Sequence, residues 1–338
     1  MFDSLLRAYA PLFIWISLGI ILFRFIPASF STRLGIVLYW VGVPLQSFMF
    51  GRRTELGGET LLIPLVVVEA SLLSMGLALL SWWGWQKFNY YNAQELPKQQ
   101  ISLERSLDAG AGAIFQTALQ EQHVTRSRFG SFILAAMLGN TGFIGMTLAD
   151  VLIDPLYLDW AIIYNVSGII TYSLAVFIAS YFGQSKTQHP WWNSLRDVLT
   201  VPSQWAFFVG LLSQNVELPV IVESGLQAMI WVVFASALLL LGLRLGSIKC
   251  WPSLELALIP AMLKVLVIPA MVGLTATCLG LTGEPRLVLV MMAGVPTGLV
   301  TLILAEVYDL DRELLIGSIT LTLVGVLVIL PVWVTWLN

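Results

Sequence analysis

Ten apolar runs dominate this chain, near residues 8–25, 34–50, 60–83, 129–149, 158–182, 198–213, 219–243, 254–280, 286–305 and 314–337. A hydrocarbon core of about 30 Å takes about 20 residues of helix but only about 9–11 residues of a barrel strand. Inside lipid every backbone N–H and C=O must be paired within the protein, so runs of this length have one stable form, the helix. The sequence therefore predicts an all-α integral membrane protein of ten transmembrane helices. Only 11% of residues are charged, against about 25% in soluble domains. A net charge of −3 offers no basic footprint for nucleic acid. Tryptophans cluster at run ends (Trp82, Trp83, Trp85, Trp191, Trp192, Trp251, Trp333, Trp336), the pattern of an aromatic belt at the membrane boundary. Cys250 and Cys278 fall at opposite ends of the eighth run, about 40 Å apart at 1.5 Å per residue and beyond disulfide reach. The first run has one basic residue, Arg7, ahead of it and no small-residue cleavage site, so it reads as a retained helix.

The basic residues sort the connections. Arg24, Arg33, Lys87, Lys98, Arg105, Arg126, Arg128, Lys186, Arg196, Arg244, Lys249 and Arg312 lie on one side, against Arg7, Arg52, Arg53 and Arg286 on the other. The positive-inside rule puts the first set in the cytoplasm and both termini outside, as expected of a multi-pass protein of the inner or plasma membrane. The long connection 84–128 reads as a partly ordered cytoplasmic loop, either a linker or a regulatory segment.

An internal duplication runs through these spans. Thr141-Gly142 and Thr297-Gly298 are followed, at the same spacing, by Leu148-Ala149-Asp150-Val151 and Leu304-Ala305-Glu306-Val307. Leu62-Ile63-Pro64 is echoed by Leu258-Ile259-Pro260 at a wider offset, because the connection 84–128 is replaced by the short turn 281–284. The chain thus divides into 1–182 and 183–338, each a five-helix repeat. Five is odd, so the second copy enters the membrane inverted. Inverted repeats are common in secondary transporters, with the substrate site where broken helices meet near the midplane. Spans 4 and 9 carry the breakers: Gly139, Gly142 and Gly145 around Asn140 and Thr141, and Gly294, Pro296 and Gly298. Close helix packing through small residues is the competing explanation for these glycines.

Gly139-Asn140-Thr141-Gly142-Phe143-Ile144-Gly145 resembles the fourth-helix motif of the auxin efflux carrier (PIN-like) family. Leu302-Ile303-Leu304-Ala305-Glu306-Val307-Tyr308-Asp309-Leu310-Asp311, ahead of a last helix ending in Leu330-Pro331, resembles its C-terminal signature. The resemblance implies a bile-acid-carrier or NhaA-like fold, with scaffold and transport domains and a crossover of helices 4 and 9. It implies transport of monocarboxylates or dicarboxylates driven by proton or membrane potential, here by a small prokaryotic-type member. Val300 stands where many members have a second asparagine.

The expected substrate is a small organic anion, probed by Asn140, Thr141, Gly142, Pro296, Thr297, Gly298 and Thr301, with two helix N-termini supplying positive potential. Asn140 either binds the anion, caps its helix, or does both. Glu69 and Lys264 lie at membrane depth in spans 3 and 8, as a coupling pair or as a structural ion pair. Asp150 and Glu306 read as solvated helix ends, Tyr164 and Asn165 as cavity lining or interhelical contacts, and His123 and His189 as loop residues. No catalytic constellation, metal-ligand spacing or cofactor motif occurs, which sets an enzyme aside. A sodium-coupled symporter of the bile-acid-carrier type and a membrane sensor or channel remain as alternatives. The lipid bilayer and a driving ion (proton or sodium) are the expected partners, with a homodimer left open.

Overall fold

The computed structural model describes residues 2–54, 57–95, 125–183, 202–247 and 254–337, and all regular elements there are helical. Helix α1 is Phe2–Leu22. Helix α2 runs from Ala28 to Arg53, with a wide π turn at Leu38–Gly42. Helix α3 opens with a tight turn at Gly58–Leu62 and continues as Ile63–Glu95. Then come α4 (125–137), α5 (Thr141–Leu152 in two consecutive pieces) and α6 (Leu158–Phe182). Helices α7 (Pro202–Leu212), α8 (Val220–Gly246) and α9 (254–278) follow. The last are α10 (Glu284–Ala293), α11 (Val300–Tyr308) and α12 (Arg312–Leu337).

Six of these stretches are long and apolar enough to cross a membrane: 29–53, 60–88, 155–182, 220–246, 254–278 and 312–337. The outer surface agrees with lipid as its solvent, since Leu212, Val220 and Ile221 are each more than 80% exposed. Such side chains facing water on every outer helix would be an aggregation surface.

One span boundary differs from expectation. The third span does not stop at 83: α3 continues to Glu95, because no glycine or proline interrupts 85–95 and Pro97 is the first breaker. The start of the expected loop 84–128 is therefore helical, and 96–124, with His123, lies outside the described residues, as do 184–201 (with His189, Trp191 and Trp192), Cys250 and Trp251. Trp82 and Trp333 are buried in the core while Trp83 and Trp336 point outward, so the tryptophans at run ends divide between packing and surface.

Two wide turns trace to proline. Pro44 and Pro269 lie just past the π turns Leu38–Gly42 and Leu263–Val267. Proline cannot donate to the carbonyl four residues back. For Pro269 that acceptor is Val265, whose oxygen takes the Trp333 indole N–H from α12 instead, at 3.4 Å.

Packing forms two close helix seams and a buried centre. Helix α1 lies along α8 and α2 along α7. At the first seam a Cβ on Gly19 would strike the Leu239 carbonyl oxygen, and one on Gly242 would strike that of Ile16. At the second, Gly51 faces the Phe207 carbonyl and Gly210 faces that of Phe48. Small residues let backbones approach, which replaces hydrophobic drive inside lipid. Helix α10 is the centre: Leu287 to Ala293 are all buried, in contact with α3, α6, α9 and α12.

Replacing Gly242 by leucine should cost about 1–3 kcal/mol through overpacking. The expected result is a lower melting temperature in detergent, whereas Gly225→Ala on the same helix, where a Cβ meets open space, leaves it unchanged.

Candidate functional site

Two helical paths are interrupted and meet. The chain leaves helix between α4 and α5 at 138–140, and between α10 and α11 at 294–299. The Asn140 N–H donates to the Pro296 carbonyl at 2.7 Å, and the Gly298 N–H donates to the Leu138 carbonyl at 2.9 Å. These bonds make an antiparallel bridge between Gly139 and Thr297. Glycine is required by the approach: a Cβ on Gly298 would lie 3.1 Å from the Gly139 oxygen, and one on Gly139 would lie 2.7 Å from the Val295 side chain.

The carbonyls freed at the end of α4 find partners one by one. Leu134 accepts from the Leu138 N–H at 3.0 Å, Ala135 from the Thr297 hydroxyl at 2.8 Å, and Met137 from the Lys264 ammonium at 3.3 Å. A helix end buried without such partners would be unstable. Past the break, the Asn140 side-chain oxygen accepts the Phe143 N–H at 3.3 Å and caps α5. On α5 the Gly142 carbonyl accepts from Gln46 of α2 at 2.7 Å.

A cavity of about 260 Å³ lies against this crossing. Asn140, Thr141, Gly142 and Phe143 line it from one interruption, and Gly298, Leu299, Val300 and Ile303 from the other. Tyr39 and Gln46 (α2), Asn165 and Tyr172 (α6), Ser203 and Gln204 (α7) and Arg244 (α8) complete its polar wall. Among the described residues no carboxylate lines it, and Arg244 is its one ionised side chain. Because its oxygen caps α5, Asn140 turns its amide NH2 away from the cap. Asn165 accepts the Thr141 hydroxyl at 2.7 Å through its oxygen, which likewise leaves its NH2 as the free end. The wall thus offers donors and one guanidinium.

Of the residues expected at a substrate site, Asn140, Thr141, Gly142 and Gly298 line this cavity, and Pro296, Thr297 and Thr301 do not. Pro296 supplies the bridge carbonyl. Thr297, 1% exposed, also donates its N–H to the Thr322 hydroxyl oxygen at 3.0 Å. Thr301 is fully buried and donates to Gly298 at 2.8 Å. These three build the crossing rather than the wall. Glu69 accepts the Thr275 hydroxyl from α9, and no ion pair joins it to Lys264 among the described residues. Asp150 is exposed, and Glu306 is exposed yet lies 3.8 Å from Arg244. Arg244 also borders a second cavity of about 270 Å³, with Glu306 and Arg312.

Gln46 and Arg244 escaped sequence reasoning as site residues. An amide inside the apolar run 34–50 was the available signal for Gln46; Arg244 registered as a topology marker.

No protein-family model matches the chain. It is similar to an uncharacterized transporter of Methanocaldococcus jannaschii, 24% identical over 215 residues that cover 61% of this chain and 68% of that protein.

Gln46→Leu leaves the Gly142 carbonyl without its donor, a loss of about 1–3 kcal/mol for a buried acceptor. The expected outcome is a lower melting temperature together with faster amide exchange confined to the start of α5, read by hydrogen-exchange mass spectrometry.

Proposed function

We propose that this chain is a secondary transporter that carries a small carboxylate by alternating access at the crossing of its two interrupted helices. The observation that carries the reading is the make-up of the crossing cavity: two amide side chains whose oxygens are already engaged, one arginine and, among the described lining residues, no acid. The start of each following helix adds the positive end of a dipole, so an anion is the ligand with the least to lose there. About 260 Å³ matches a small organic acid. The likeness to an archaeal transporter supports transport as the general class.

On this reading the protein is a prokaryotic-type member of the auxin efflux carrier family with ten transmembrane helices in two inverted repeats, 1–182 and 183–338. The packing supports it: α1 on α8 and α2 on α7 exchange under the repeat, as do α3 on α6 and α9 on α12. Both termini face outward, and the cavity opens to the cytoplasm, where the positive-inside rule puts Arg244. Asn140, Thr141, Gly142 and Gly298 contact the substrate with Arg244 and Asn165; Pro296, Thr297 and Thr301 position them. Glu69, an acid at membrane depth that accepts the Thr275 hydroxyl, is the coupling group on this reading.

Melting of the purified protein with malate, succinate or benzoate, in sodium or choline salts, tests the reading. A ligand at 100 times its Kd stabilises by about 2.7 kcal/mol. Asn140→Ala and Arg244→Gln should each weaken binding about 10- to 100-fold, as expected for hydrogen bonds to a charged group. Undiminished carboxylate uptake by Asn140→Ala in proteoliposomes would falsify the assignment.

A further inference from the structure

The crossing has a second side. Opposite the large cavity, a small one of about 60 Å³ also touches Leu138, Gly139 and Thr141, so the interrupted segment forms a thin wall between the two. Its polar lining is hydroxyl-rich: Ser71, Ser74, Thr141 and Thr171, together with Lys264.

Lys264 is 5% exposed and sits in the π turn Leu263–Val267, which swings it toward the break. Its ammonium donates to the Met137 carbonyl at the last turn of α4, and a Cβ on Gly139 would lie 3.1 Å from it. A buried charge is normally paired with an opposite one. No acid pairs with this ammonium among the described residues. What it meets is the C-terminal end of a helix, the negative pole of that dipole, and neutral hydroxyl oxygens line the same cavity. Carbonyl and hydroxyl oxygens around a space of this size are the donor set of a hard monovalent cation.

We propose that Lys264 is a tethered cation: its ammonium stands permanently where a bound sodium ion would otherwise neutralise the end of α4, so this protein works without sodium at the crossing. The inference deepens the transport reading by removing sodium as its coupling ion, but it rests on the crossing geometry and not on the identity of the substrate.

The test is thermal melting of the purified full-length protein in NaCl, KCl and choline chloride at equal ionic strength. Wild type should melt at one temperature in all three. Lys264→Ala should melt lower by about 5 °C or more in choline chloride. It should regain at least half of that loss in sodium chloride or in butylammonium chloride, which restore a cation to the vacated space. Lys264→Arg keeps the charge and should stay indifferent to sodium, while Lys264→Gln melts lower and gains from it. A wild-type protein stabilised by sodium over choline overturns the proposal, because the site then takes the ion despite the lysine. Arg and Gln variants that melt alike in every salt overturn it as well, and they decide the matter if the alanine variant does not fold. None of these readings uses a substrate. A failure of every carboxylate to bind would sink the transport assignment and leave this result standing.

Discussion

Two backbone hydrogen bonds hold the middle of this protein: Asn140 to Pro296, and Gly298 to Leu138. Each joins an interruption in one half of the chain to an interruption in the other. Unwound backbone inside a bilayer has no water to turn to, and each unpaired group costs several kcal/mol there. Neither break is tolerable alone; each is the solvent of the other. The remaining groups are met by Thr297 and Asn140 from the interruptions themselves and by Lys264 and Gln46 from helices α9 and α2. Helix order, packing and cavity all follow from bringing these partners to one place.

Much of this was legible in the chain itself. Apolar runs of spanning length have one backbone solution, and clustered glycines with Pro296 mark where helix is abandoned, so the breaks fall at the expected residues. The side of the crossing on which each residue lies was not legible. A soluble helix declares its buried face by contrast with a polar one. Here both the lipid-facing and the protein-facing sides are apolar, so the rotation of each helix leaves little trace in the sequence. Thr297 and Thr301 therefore look like ligands in sequence and are structural in the fold, and Trp82 and Trp333 look like surface anchors and are core. Arg244 shows the reverse error: a charge near a helix end reads as topology, although its side chain also reaches the cavity. The overlong α3 is simpler, since polarity ends a membrane span but only a breaker ends a helix.

Proline has an uneven part. Pro296 lies in the second interruption, and its own carbonyl accepts the Asn140 N–H from the first. Pro269 frees a carbonyl inside an otherwise continuous helix, and an indole from α12 closes the account. The same residue type stands in an abandoned stretch of helix in one place and beside a wide turn in another.

The glycine seams bear on how such a molecule can move. Along Gly19–Gly242 and Gly51–Gly210, main chain rests on main chain, with no intervening side chain whose rotamer could change to accommodate a slide. Helices α1, α2, α7 and α8 are thereby locked in two pairs, like laminated beams with few internal degrees of freedom. The wall between α2 and α8 on one side and α5 and α11 on the other is built differently, from amides, a phenol, a guanidinium and a void. Side chains around a void can rearrange where a main-chain seam cannot, and this is the same surface that presents the donors.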